Sequence, residues 1–417
     1  MTASTGGDSR PVQVIIGVDT HQDQHVAVAI NEHGIWLGEH RVMTTQKGYA
    51  ELQQWSQSWG EICAFGIEGT GAYGAGVARF LTSQGYTIVE VNRPDRSTRR
   101  RKGKSDPTDA EMAARAVLSG VANATPKSGA GEVEMIRMLK ITKDSAIKAR
   151  TQVINQMKAL VVTAPAKLRE ILEGLSSRDL AQRCAAFRPG PLGDPSAAAK
   201  YALRSLGRRY RQLTAEVQDL EAQLDRLTRM AAPALMDTFG VGPDTAAALL
   251  VTAGSNPERL HSEASFAALC GVNPIAASSG KTHRHRLNRG GDRQANAALY
   301  RIVLVRLRHD RRTKVYMQRR IGEGLSKTEV IRCLKRYVAR EVFALLSQVS
   351  PRLCSQSEQG CPDSGVVRMG QPCSKIELTR GEDRATLGSD PSASTGAVRI
   401  GRAQLCLSFA YPVAQKR

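Results

Sequence analysis

The chain has 417 residues, with 59 lysines and arginines against 39 acids and a formal net charge of +20. That length accommodates two or three domains. No run of about 18 apolar residues occurs, which argues against a membrane protein. The first residues, Met1 to Asp8, have neither the basic start nor the apolar centre of a signal peptide. The cysteines show no metal-ligand or disulfide spacing, and Cys63, Cys184, Cys270 and Cys333 read as reduced core residues, which fits the cytoplasm.

Taken in chain order, the first quarter alternates between strand and helix patterns. Val12 to Asp19 is a short β-branched run ending in an acid, and so is Cys63 to Glu68. Both read as buried strands. His25–Ile30 and Gly34–Met43 alternate like a hairpin around an Asn31-Glu-His-Gly34 turn. Lys47–Trp59 and Tyr73–Gln84 read as helices, Thr87–Asn92 as a further strand, and a helix opens at Asp106. The order is β-β-β-α-β-α-β-α. Pro107 is tolerated in the first turn of that last helix. The three-residue spacing of Asp106 and Asp109 places their carboxylates on one helix face. Asp19, Glu68, Asp106 and Asp109 together make an oxygen-rich set suited to hard divalent cations. Two such cations can clamp the attacking and leaving oxygens of a phosphodiester. An isolated strand-end acid is ordinarily just solvated; the order of elements gives these four their weight.

Charge is unevenly distributed. Residues 1–92 hold nine acids and four bases, a net of −5, leaving +25 for the remainder. Arg93–Lys104 has seven bases and one acid, and Lys281–Arg320 has thirteen bases and two acids. A basic run beside an acidic metal set points to nucleic acid as partner. In the first run the candidate contacts are Arg93, Arg99, Arg100, Arg101, Lys102 and Lys104; in the second they are Lys281, Arg284, Arg286, Arg289 and Arg293.

Met135–Val162 reads as one long helix. A Pro/Gly-rich loop over Phe187–Pro195 precedes a heptad seam of Leu203, Leu206, Tyr210, Leu213, Val217, Leu220, Leu224 and Leu227. The two helices can pair as a hairpin, and the seam can also serve a second subunit. Beyond Pro233, Phe239-Gly-Val-Gly-Pro243 is either a phosphate-approaching turn of the helix-hairpin-helix kind or a plain helix–helix turn. Ser278 and Ser279 lie in a small-residue turn ahead of the basic cluster. A serine nucleophile needs a base, a metal or local positive charge, and Arg284, Arg286, Arg289 and Arg293 offer the last. Ser-Gly is also common turn chemistry. Gln294–Arg308 and a helix capped by Ser326 with Glu329 close the folded part. Its apolar face is Val330, Leu334, Val338, Val342 and Leu345. The composition of residues 352–417 predicts a disordered tail.

Three motifs, Gly17-Val-Asp-Thr-His21, Gly66-Ile-Glu-Gly-Thr-Gly71 and Lys104-Ser-Asp-Pro-Thr-Asp-Ala110, resemble those of the DEDD transposases of bacterial insertion sequences, relatives of the Piv DNA invertase. Phe239–Pro243, Gly271–Pro274, Ser278–Lys281 and Arg289–Arg293 extend the resemblance over roughly residues 12–347. It implies a RuvC-like, RNase H-like α/β catalytic domain over 12–125 and a coiled-coil helical hairpin over 130–232. A mainly α transposase domain over 233–348 would carry the serine motif. The resemblance makes Asp19, Glu68, Asp106 and Asp109 a tetrad for Mg²⁺, or Mn²⁺ in its place, and Ser279 the recombinase nucleophile with Ser278 as neighbour. It further implies DNA as substrate, a structured bridge RNA as guide, dimers or tetramers through the coiled coil, and a nucleoid-associated location. The rival readings are a RuvC-like endonuclease using metal-activated water, and a non-catalytic nucleic-acid-binding protein.

Overall fold

The structure, a computed structural model, describes residues 12–91, 105–280 and 285–346. Its first part runs β1 (Gln13–Thr20), β2 (Gln24–Asn31), β3 (Trp36–Met43), α1 (Gln46–Gln57), β4 (Glu61–Glu68), α2 (Ala75–Ser83), β5 (Ile88–Val91) and α3 (Asp106–Leu118). This is the expected order of elements. The strands form one sheet in the order β3-β2-β1-β4-β5. Strand β2 runs antiparallel to both β1 and β3, whereas β4 is parallel to both β1 and β5. Gly34 takes a φ of 75° in the β2–β3 turn, and the Asn31 side chain accepts from the backbone of His33 and Ile35.

Successive residues of a strand face opposite ways, and β1 is buried on both sides. Val14, Ile16 and Val18 join Phe65 and Ile67 of β4 in a core with Leu52 of α1 and Val77 and Leu81 of α2. Ile15 faces the other way, with Val28 and Ile30, against Ala110 and Ala114 of α3. Between them α3 rests on two glycines that pair side by side in the sheet, Gly17 and Gly66. A Cβ on Gly17 would lie 1.9 Å from the Ala110 carbonyl oxygen, and one on Gly66 would lie 2.7 Å from Val117 Cγ2. The helix backbone therefore touches the strand directly. Its start is fixed by Ser105, whose hydroxyl accepts from the Thr108 amide.

The second part is helical: α4 (Gly131–Thr163), α5 (Ala166–Leu172), α6 (Ser177–Ala185) and α7 (Pro195–Ala231). The long helices α4 and α7 lie antiparallel, since Ile136 shares a core with Leu224 and Leu227 while Val153 and Met157 share one with Leu203. The heptad seam is covered within the chain. Leu203, Val217, Leu220, Leu224 and Leu227 are buried, and Leu206, Tyr210 and Leu213 are half-buried beneath the tip helices. The sequence pattern did not mark α5 and α6, each too short to display a period. Cys184 and Cys270 are core residues as expected and Cys333 is half-buried, but Cys63 is exposed on β4, so it is not a core cysteine.

The remainder comprises α8 (Pro233–Met236), α9 (Pro243–Ala253), a 3₁₀ turn (Pro257–Arg259) and α10 (Glu263–Leu269). A two-stranded sheet of β6 (Pro274–Ala276) and β7 (His285–Leu287) follows, then α11 (Arg293–His309), α12 (Arg311–Gly322) and α13 (Lys327–Leu346). The Ser326–Glu329 capping box forms, and Val330, Leu334, Val338 and Val342 are buried. At the turn before α9, the Gly242 amide donates to Thr245 Oγ1, and Asp244 opens the helix inside a cluster of cations. Its carboxylate meets Arg301 Nη1 at 2.6 Å, Lys140 Nζ at 3.2 Å and Lys143 Nζ at 3.3 Å. The acid that follows the Gly-Val-Gly turn is thus held by cations of α4 and α11. No helix among the described residues is long and apolar enough to cross a membrane. The tail expected over 352–417 lies outside the described residues.

Two predictions follow from this packing. Gly17→Ala should cost about 3 kcal/mol, because the new methyl meets backbone that cannot move aside; urea unfolding measures it, and a loss below about 0.5 kcal/mol refutes the contact. Burial pushes the Asp244 carboxyl up, but Lys140, Lys143 and Arg301 outweigh it and hold the pKa at about 2, against an ordinary 3.8. The depressed folded value means the stabilisation is complete above about pH 4 and lost as pH falls through about 2. It amounts to about 2 kcal/mol. Asp244→Asn should therefore lower stability at pH 7 and flatten the acid limb between those values.

Candidate active site

The α3 contact sets the site geometry. Gly17 faces α3, so Asp19, two residues on, faces it too; the same holds for Gly66 and Glu68. The β1–β4 ladder pairs Val18 with Ile67, which puts Asp19 and Glu68 at neighbouring strand ends. There the Thr20 hydroxyl donates to the Glu68 carbonyl at 2.8 Å. The first turn of α3 then delivers Asp106 and Asp109. Asp19 and Asp109 are buried, Glu68 is half-buried and Asp106 is about one-third exposed.

Burial pushes the Asp19 carboxyl above its ordinary value; His21 draws it down, and Asp109 and Asp106 push it up again. Three carboxylates thus share one electrostatic environment at the end of β1. His21 sits between two of them, its Nε2 lying 3.3 Å from Asp19 Oδ2 and 3.5 Å from Asp106 Oδ1. One donor atom each from Asp19, His21 and Asp106 lies within 4.8 Å of the other two. Mutually repelling carboxylates around a small gap, with an imidazole at its edge, form a donor set that a divalent cation fits. Asp19 and Asp106 offer the oxygens that hard cations prefer. An added nitrogen donor is better tolerated by Mn²⁺ than by the harder Mg²⁺. Sequence reasoning passed over His21, although it stands two residues beyond Asp19 in the same motif; its only signal was that proximity.

The serines belong to a different part of the fold. Ser278 and Ser279 are exposed in the connection between β6 and β7. The base of that hairpin is anchored by backbone contact and by asparagines. A Cβ on Gly291 would lie 2.2 Å from the Gly271 nitrogen. Asn288 Nδ2 donates to the Ala268 carbonyl and to Asn273 Oδ1, and Asn296 Nδ2 donates to the carbonyls of Cys270 and Gly271. Asp292 caps α11 through the amides of Gln294 and Ala295. The motif segments 271–274 and 289–293 are therefore the clasp of the serine hairpin. Arg286 and Arg289 are exposed on and just after β7, and Arg293 is exposed at the first turn of α11. Arg93, Arg99, Arg100, Arg101, Lys102, Lys104, Lys281 and Arg284 lie outside the described residues.

Comparison with known proteins places both parts. A DEDD family model of the IS110 type, described as a transposase, matches residues 16–164. A second, described as the transposase IS116/IS110/IS902 family, matches residues 232–318. The first spans the strand-end acids and α3, and the second spans the serine hairpin and its clasp. The chain is also similar to the insertion element IS110 uncharacterized 43.6 kDa protein of Streptomyces coelicolor, at 32% identity over 130 residues. That match covers 30% of this chain and 32% of the relative, so it spans about a third of the relative's length. With the acids at their strand ends and two matches in the order of the family's own parts, the chain belongs to the IS110 family of DEDD transposases.

Proposed function

We propose that the protein is a DNA transposase of an insertion sequence that cuts and rejoins strands through a covalent serine intermediate. The observation that carries this reading is the convergence of Asp106 and Asp109 on Asp19, produced by α3 lying directly on Gly17 and Gly66. The strand order β3-β2-β1-β4-β5, with acids closing β1 and β4, supports an RNase H-like, RuvC-like catalytic unit over residues 12–125. Residues 130–232 then form the coiled-coil hairpin, and residues 233–348 the serine-bearing unit.

In this reading Asp19, Glu68, Asp106 and Asp109 would hold divalent cations, with His21 standing beside Asp19 and Asp106. When bound, the cations supply Lewis-acid polarisation of the scissile phosphate. Ser279 Oγ attacks phosphorus, the bond to the 3′ oxygen breaks, and the proton lost by the serine replaces that bond on the departing hydroxyl. The products are a phosphoserine linkage and a free 3′-hydroxyl, so the bond energy is kept for rejoining. Ser278 is the alternative attacking residue. Arg286, Arg289 and Arg293 neutralise charge on the phosphate. The basic segments around 93–104 and 281–320 suit a polyanion, and the family resemblance alone adds a bridge RNA that selects the DNA. Assembly into dimers or tetramers draws on half-exposed apolar side chains of the long helices, such as Met138, Ile141 and Tyr201.

One observation favours a second reading. Among the described residues the acid cluster is built from β1, β4 and α3, which suits a nuclease using activated water. Ser279→Ala separates the two: it deletes one oxygen from an exposed residue, so folding and DNA binding should persist. Serine chemistry requires that cleavage and the protein–DNA adduct vanish together on denaturing electrophoresis. Cleavage surviving in both Ser279→Ala and Ser278→Ala would establish the nuclease. Cation binding is tested apart from activity. A hundredfold excess of Mn²⁺ over its Kd should stabilise the wild type by about 2.7 kcal/mol, and Asp19→Asn should abolish the effect in a thermal melt. An equal shift in both proteins would remove Asp19 from the ligand set.

A further inference from the structure

A cleft of about 530 Å³ opens between the β6–β7 hairpin and α13. Its walls carry Arg286 from β7 and Arg332, Lys335, Arg336, Tyr337 and Arg340 from α13. The acid in the lining, Glu329, is engaged by the amide and hydroxyl of Ser326. Glu263 pairs with Arg336 and, at 3.0 Å, with Arg340 Nε, which fixes those two guanidiniums on the rim. Arg286, Arg332 and Lys335 have no carboxylate within ion-pair distance among the described residues.

Lys335 is the most telling of these. It is half-buried, and its ammonium donates at 2.8 Å to Asn296 Oδ1, a neutral acceptor. Burial lowers its pKa, and Arg332 lowers it further. Buried charge is ordinarily paired, and among the described residues no carboxylate lies within ion-pair distance of this one. The same Asn296 amide grips the Cys270 and Gly271 carbonyls at the foot of the serine hairpin. A group bound by Lys335 is therefore held in register with that hairpin.

The remaining features narrow the ligand. Arg332, Arg336 and Arg340 recur at four-residue steps, about 6 Å apart along the helix, a row of cations rather than one anion pocket. Tyr337 is 52% exposed, braced edge-on by Tyr316 with ring centroids 5.8 Å apart, and the Arg340 guanidinium lies 6.0 Å from its ring centre. A cation row beside an exposed ring is the pattern that tracks a backbone and stacks a base. The volume suits a nucleotide or two. A duplex is far wider than a nucleotide or two and would meet only the rim.

We propose that this cleft binds the sugar-phosphate backbone of an unpaired nucleic-acid strand, with a base on Tyr337, and presents that strand to the hairpin carrying Ser278 and Ser279. The presentation step rests on the serine reading above; the binding step does not.

The test uses the full-length protein and fluorescein-labelled oligo(dT), oligo(U) and a DNA duplex, read by anisotropy over a salt series. The Arg332→Gln, Lys335→Gln double variant should weaken unpaired-strand binding about tenfold and reduce the slope of log affinity against log salt by about 1 to 2. Duplex affinity should change less than about twofold on the same reasoning. Tyr337→Ala should lose at least about fivefold on unpaired probes, while Tyr337→Phe stays near wild type, which separates stacking from a folding defect. A loss confined to oligo(dT) assigns the cleft to DNA, and one confined to oligo(U) assigns it to RNA. Unchanged affinity for both unpaired probes, or an equal loss on the duplex, overturns the proposal. The Ser279→Ala adduct assay reports on serine chemistry alone, so either idea can fail without the other.

Discussion

The direct contact between the backbone of α3 and the paired glycines of β1 and β4 is the constraint on which the acidic site depends. Any side chain at position 17 would put atoms where the Ala110 carbonyl now lies. Packing through side chains keeps a helix about 10 Å from its partner; glycine removes that spacing. Only at the shorter distance does the first turn of α3 bring its carboxylates into the field of Asp19. The apolar residues on either side, Ile15, Val28, Ala110 and Ala114, stabilise the arrangement. Gly17 and Gly66 determine its geometry.

Electrostatics sets the second requirement. Three carboxylates and one imidazole crowd the end of β1, and burial raises Asp19. Such a cluster suits a divalent cation, whose charge would offset the repulsion. The acidic balance of the first 92 residues stands against a strongly basic remainder. The charge of each region suits the ligand proposed for it: cations at the strand ends, polyanions elsewhere.

The long helices connect these regions. Ile136 near the start of α4 and Leu224 and Leu227 near the end of α7 are part of the same core as α9, α11 and α13. Lys140 and Lys143 of α4 reach Asp244 of α9 across that junction. The segment between α3 and α4 is tied to the last turn of α9 and the loop after it: Lys127 Nζ donates to the Val251 carbonyl and Asn256 Nδ2 to that of Pro126. The heptad that reads as an assembly seam is largely spent on packing within the chain.

The sequence by itself determined the order of elements in the first unit, because strand and helix periods differ and each segment is long enough to show one. It also marked the four acids, the serine pair and the basic runs as candidates, since each is local in composition. It did not reveal which way Asp19 and Glu68 face. Both strands are apolar on both sides, and only the glycine contact with α3 distinguishes their faces. Likewise His21 joins the acids only through the approach of Asp106 from a segment 85 residues away in the chain. The seam could not declare its partner, since a heptad covered by its own chain and one covered by a second subunit carry the same pattern. The α13 cleft was invisible for a related reason. Arg332, Arg336 and Arg340 look like the solvated face of an amphipathic helix until the hairpin folds over them. Local chemistry is written along the chain, whereas juxtaposition depends on packing between segments far apart in it.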